Sequence, residues 1–185
     1  MLKTGFTLLE MLLCLILTSL LMMIIMAFYP KLQTDTIQFY QQYRLQETIN
    51  QTLSGLIKDI KRAGFLANHL DNLKKTAILI EDNNQCIIIR YDLHRSGEWR
   101  EDKHNLNSSD IFVYRYANNN VVYRLGIPHC YGQGWEKLFD NNEVDVTLFE
   151  IYQRAHFIEI RLTAQIKGNH SITHSRIHYV KTENL

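Results

Sequence analysis

The chain has 185 residues, 46% of them hydrophobic and 21% charged, which suits one folded domain and excludes a long disordered or collagen-like protein. Twenty Lys and Arg against nineteen Asp and Glu leave a net charge of +1, so nucleic acid or an anionic membrane would have to be met by a local patch. The apolar residues are unevenly spread: Met11 to Tyr29 contains no charge, and the rest reads as polar and strand-rich.

Those nineteen residues would rise about 29 Å as a helix, close to the roughly 30 Å hydrocarbon core of a bilayer. A cleaved secretory signal would be followed by small residues, whereas Ala27-Phe28-Tyr29-Pro30-Lys31 is bulky. Lys3 before the span predicts a cytoplasmic N-terminus, with residues beyond Pro30 exported. Glu10 stands out, because an unpaired acid entering hydrocarbon costs on the order of a few kcal/mol. Its simplest placement is at headgroup level, near a helix N-terminus whose dipole favours a carboxylate. Cys14, inside the span, reads as an inert apolar side chain.

Gly5-Phe6-Thr7-Leu8-Leu9-Glu10, preceded by a short leader with Lys3 and followed at once by the apolar stretch, closely resembles the type IV prepilin signal. The resemblance implies that a prepilin peptidase cuts after Gly5 and methylates the new terminus at Phe6. It also implies that Glu10 pairs with an N-terminal amine inside a helical filament, where a buried ion pair would set register between subunits. Residues 1–5 would then be a leader, 6–30 a transmembrane and assembly helix, and 31–185 a periplasmic head that includes the amphipathic half of the long helix.

Pro30 removes one helical hydrogen bond and would kink or locally open the helix. Beyond it, Leu45, Ile49, Leu53, Leu56, Ile57 and Ile60 recur every three or four residues, an amphipathic helix with one buried face. Lys58, Lys61 and Arg62 followed by Gly64 mark its end, so one helix is expected from about Phe6 to Ala63. Gly55 weakens it by about 1 kcal/mol relative to Ala. Strands are expected at Thr76 to Ile80, Cys86 to Tyr91, Ile111 to Tyr116, Val121 to Leu125, Val144 to Tyr152, Phe157 to Ile166 and Ile172 to Val180. Asn118-Asn119-Asn120 and Gly168-Asn169 supply hairpin turns. The fold class is α+β: a pilin-like long helix packed on a single antiparallel-sheet head.

Cys86 and Cys130 are the two cysteines in the exported part, and a disulfide between them is the economical reading. The alternative is a metal pair with His129. Asp59-Ile60-Lys61-Arg62-Ala63-Gly64-Phe65, Cys86-Ile87-Ile88-Ile89-Arg90-Tyr91-Asp92 and Cys130 with Gly134-Trp135 resemble the larger minor pilins of the PilW or prepilin-peptidase-dependent protein B type. These are related to J-type pseudopilins of type II secretion. The C-terminus, Tyr179 to Leu185, departs from that pattern by lacking a basic closing motif. The likeness implies no catalysis, cofactor or small-molecule substrate. It implies a subunit that joins other minor and major pilins or pseudopilins, primes filament assembly at the inner membrane and stays at the tip.

No phosphate loop, zinc helix or nucleophile elbow occurs. His170, His174 and His178 share a face at a spacing of four, either a metal patch or a solvated strand face. Tyr114, Arg115, Tyr116, Tyr123 and Arg124 raise a second function, a membrane-tethered module for DNA or another surface ligand; against it stands a sheet with aromatics inward and arginines outward.

Overall fold

The structure, a computed structural model, describes residues 7–67, 76–101, 109–155, 157–182 and 184. Two compact units cover residues 1–41 and 42–185. Helix α1, Leu8–Arg62, starts in the first and ends in the second, and its assignment is continuous through Pro30.

Within the second unit, α1 buries Leu45, Ile49, Leu53, Leu56 and Ile60, the stripe expected from their spacing, with Ile57 partly buried beside them. Each such side chain contributes about 1.5–3 kcal/mol of burial. The helix ends where Gly64 turns left-handed at a φ of 83° and donates its N–H to the Arg90 carbonyl at 2.9 Å. A bond to the sheet thus replaces the next helical one.

The strands are β1 (Ile78–Glu81), β2 (Cys86–Arg90), β3 (Ile111–Ala117), β4 (Asn120–Leu125), β5 (Glu136–Lys137), β6 (Val144–Gln153), β7 (Ile158–Ile166) and β8 (Asn169–Val180). The expected single sheet is instead two antiparallel sheets, one ordered β1-β2-β3-β4-β5 and the other β6-β7-β8. The division has a local cause. Fully buried Asn120 binds the chain around Phe139 and Asn141 through its amide, and Asp140 then caps a turn by accepting from the N–H groups of Asn142, Glu143 and Val144. The chain therefore leaves the first sheet after only two residues of β5. β6 meets that sheet at its turns: Ile151 N–H donates to the Asn84 carbonyl and Val146 N–H to the Asn119 carbonyl, both at 2.8 Å. Asn118 and Asn119 have φ of 51° and 56°, the left-handed pair that a two-residue hairpin needs.

Cross-strand register separates the faces of the first sheet. Ile78, Ile87, Ile89, Phe112, Tyr114 and Val121 belong to the main core with α1 and the second sheet. Cys86, Ile88, Ile111 and Val113 face the other way and form a smaller core with Ile127, Cys130, Leu79 and Trp135. The Cys86–Cys130 disulfide, with Cα atoms 6.2 Å apart, ties the segment between β4 and β5 over this outer face.

Candidate assembly site

At the start of α1, Thr7 and Glu10 cap the helix reciprocally. Thr7 donates its backbone N–H to Glu10 Oε2 at 2.9 Å and its hydroxyl to the same oxygen at 3.0 Å. Glu10 N–H donates to Thr7 Oγ1 at 3.4 Å and to the Thr7 carbonyl at 3.0 Å. This is a capping box, which satisfies helix-start donors that would otherwise be orphaned. The headgroup-level reading of Glu10 did not include Thr7, although Thr-x-x-Glu directly before an apolar run is the sequence signature of the motif.

The helix beyond the cap is long and apolar enough to cross a membrane once. Leu8 through Met26, and then Phe28 and Tyr29, present their large apolar side chains outward. The hydroxyls within this stretch are bound to their own backbone: Thr18 donates to the carbonyls of Cys14 and Leu15, and Ser19 to that of Ile16. Such bonds let a polar side chain enter an apolar medium without an unsatisfied donor. Glu10 is the one Asp, Glu, Lys, Arg or His between Thr7 and Tyr29. Gly5 and Phe6 lie outside the described residues.

In the head, Asp59 is a feature that the apolar periodicity does not announce. It sits on the buried face of α1 between Leu56 and Ile60. Its Oδ1 accepts from the Tyr91 hydroxyl at 2.9 Å and its Oδ2 from the Tyr114 hydroxyl at 2.5 Å. Burial pushes the Asp59 carboxyl above its usual range, against the lowering effect of both hydroxyls and of Arg62 and Lys58. Burial and the neighbouring carboxyl raise the phenols of Tyr91, Tyr114 and Tyr123. Asp92 shows the opposite result: burial would raise its carboxyl, but the backbone N–H groups of Gly97, Ser96 and Ala67 prevail and lower it. Asp110, fully buried, accepts from Leu93 and Arg100 N–H groups and fixes the other end of that loop.

The residues weighed for DNA are divided between two faces. Tyr114 and Tyr123 pair across β3 and β4 on the core side, with Tyr116 on the same face. Arg115 and Arg124 lie on the outer face, where each binds the covering segment: Arg115 donates to the Cys130 carbonyl at 2.7 Å and stacks over Trp135, and Arg124 donates to the Gln133 carbonyl. His129 stacks on Tyr131 with ring centroids 4.0 Å apart, and both cysteines beside it are consumed by the disulfide, so the alternative thiolate–imidazole metal pair is not formed. His174 and His178 share one face of β8 with Arg176 between them, whereas His170 lies next to the irregular β7–β8 turn. Among the described residues, no group of three or more His, Cys, Asp or Glu is placed to hold a metal ion.

The family model for prepilin peptidase-dependent protein B matches residues 38–182. The prepilin peptidase-dependent protein B of Escherichia coli is 23% identical over 152 residues, covering 82% of this chain and 79% of its own length. An uncharacterized protein of Haemophilus influenzae is 29% identical over 180 residues, covering 71% of this chain and 76% of its own. No solved structure matches. With a long apolar N-terminal helix, antiparallel sheets and a family match over most of its length, this chain belongs to the prepilin peptidase-dependent protein B family, pilin-like structural proteins of type IV pilus and pseudopilus systems.

Proposed function

We propose that the protein is a minor pilin or pseudopilin that primes assembly of a type IV pilus, competence filament or type II secretion pseudopilus and sits at its tip. The observation that carries this reading is the construction of α1. One continuous helix begins in the Thr7–Glu10 cap, exposes apolar side chains through Tyr29, and from Leu45 onward buries a stripe in a folded head. A membrane anchor needs only the apolar stretch. A subunit that must leave the bilayer and join a helical bundle also needs a charged group that is satisfied before assembly and can find an amine after it.

On this reading residues 1–5 are a leader removed by the peptidase, Phe6 is the methylated N-terminus, and residues 6–30 are the membrane and assembly helix. Residues 31–185 form the periplasmic head. Glu10 exchanges or shares its cap with the N-terminal amine of a neighbouring subunit in the filament. Partners are other minor and major pilins or pseudopilins. A bulky head suits a tip position, because a shaft subunit must pack against copies above and below it.

N-terminal sequencing of the membrane-extracted protein tests the reading. The expected mature start is a methylated Phe6, and Gly5→Leu should leave the intact precursor. A mature start after Tyr29 would overturn it.

A further inference from the structure

Among the described residues, four strand edges bound the two sheets, and three of them are short or covered. β1 has four residues and β5 two. β6 gives Val146 and Ile151 N–H groups to the turns of the first sheet. The fourth edge is β8, which has twelve residues and, among the described residues, pairs with β7 alone. A long open edge presents a row of unpaired backbone groups, and soluble proteins blunt such edges with proline, bulges, short length or charged side chains, of which β8 has only the last, in Arg176 and the adjoining Lys181. β8 contains no proline, and its register irregularity is confined to the turn at Ile166 and Asn169.

The side chains along this edge have a distinct pattern. On the core-side face, His174, Arg176 and His178 stand opposite Ala164, Leu162 and Ile160 of β7. On the outer face, Ile177 and Tyr179 are 51% and 64% exposed, and Phe157 packs edge-on against Tyr179. No Asp or Glu occurs from Asn169 to Thr182. A second copy paired on β8 would add the Arg176 and Lys181 of one strand to those of the other, so the joined edges would carry positive charge alone, and like charges across a strand pair are destabilising. The edge therefore rejects itself and complements the opposite charge.

We propose that β8 is a docking edge for an extended segment of a different protein chain, one that alternates acidic and apolar side chains. The segment adds as a fourth strand to the β6-β7-β8 sheet. Its backbone satisfies the free edge, its carboxylates lie beside His174, Arg176 and His178, and its apolar residues cover Ile177 and Tyr179. Main-chain bonds supply affinity and the alternate side chains supply selection, as in other strand additions. The proposal is independent of the role of α1.

The test uses the full-length chain in detergent micelles with two probes, a blocked ten-residue peptide alternating valine and glutamate and its valine–lysine counterpart. Fluorescence anisotropy should show the glutamate peptide binding on the order of tenfold more tightly, with Arg176→Glu abolishing or reversing the preference. Arg176 is exposed, so the substitution leaves the core intact. Hydrogen exchange should slow at amides within Asn169–Val180 when the glutamate peptide is bound. Equal binding of the two peptides, no binding of the glutamate peptide, binding without protection of β8, or an unchanged preference in Arg176→Glu would each overturn the proposal. So would self-association that protects the same amides without peptide.

Discussion

The Tyr114 hydroxyl reaches from the middle of β3 to Asp59 on α1, donating to Oδ2 at 2.5 Å, while Tyr91 beyond the end of β2 donates to the other oxygen. Strand β3 and the residue that follows β2 thus grip one helical carboxylate inside a largely apolar interface. Apolar contacts alone tolerate small slides of a helix along a sheet. Two directed bonds to one side chain do not, so Asp59 fixes the axial position of α1 against the head.

Replacing Asp59 should therefore reveal coupling. Asp59→Leu strands two buried hydroxyls and should destabilise the head by about 1–3 kcal/mol for each. Adding Tyr114→Phe removes one stranded group, so the double variant should lose less than the sum of the single losses. Urea denaturation of the four proteins closes this cycle, and strict additivity would show that the hydroxyl and carboxyl do not interact energetically.

The same cluster predicts sensitivity to alkali. Tyr91, Tyr114 and Tyr123 have phenol pKa values raised in the folded state above their unfolded value of about 10. The folded state thus holds these protons more tightly. The stability they contribute is complete below about pH 10 and falls as pH rises beyond it. Thermal melting followed from pH 8 upward should show a steep decline starting near pH 10. A flat profile would contradict the buried placement of these rings.

Gly55 offers a change in the other direction. It lies on the exposed side of α1, where an added Cβ would meet nothing within 4 Å. Gly55→Ala should raise stability by about 1 kcal/mol through helix propensity. The check is the urea midpoint, which should rise with an unchanged slope.

The disulfide should matter beyond its own bond, because Cys86 and Cys130 are buried members of the smaller core. At a sequence separation of 44, loss of the link costs about 4 kcal/mol on the chain-entropy model. Replacing both cysteines with alanine should lower stability by that order and quicken exchange in the 126–135 segment. Non-reducing peptide mapping of the wild type should find the Cys86–Cys130 pair with Cys14 free.

Much of this architecture was legible where a local signal and a tertiary role coincide. The spacing of Leu45, Ile49, Leu53, Leu56 and Ile60 shows the buried helix face directly, and Gly64 marks its end. The division into two sheets was not legible. It depends on Asn120 pinning the chain at Phe139 and Asn141, a contact between residues about twenty apart whose types also suit ordinary turns. β5 was missed for the same reason, since two paired residues carry no periodicity. Asp59 escaped because a charge on an apolar stripe reads as an interruption until its tyrosine partners are placed around it. At Glu10 the acid was conspicuous, while Thr7, which holds it, looked like an ordinary member of the prepilin-like motif.

On the proposed reading, Glu10 serves assembly rather than anchoring. The most direct measurement is pull-down of partner pilins together with filament counts, comparing wild type with Glu10→Ala at equal levels of processed, membrane-inserted protein. Removing the charge makes the segment more apolar, so insertion should persist. Partner recovery and filament number should fall sharply, because a neighbouring amine loses a buried partner at a cost of about 3–5 kcal/mol. Unchanged recovery with unchanged filament number would contradict the account and leave Glu10 as a helix cap alone.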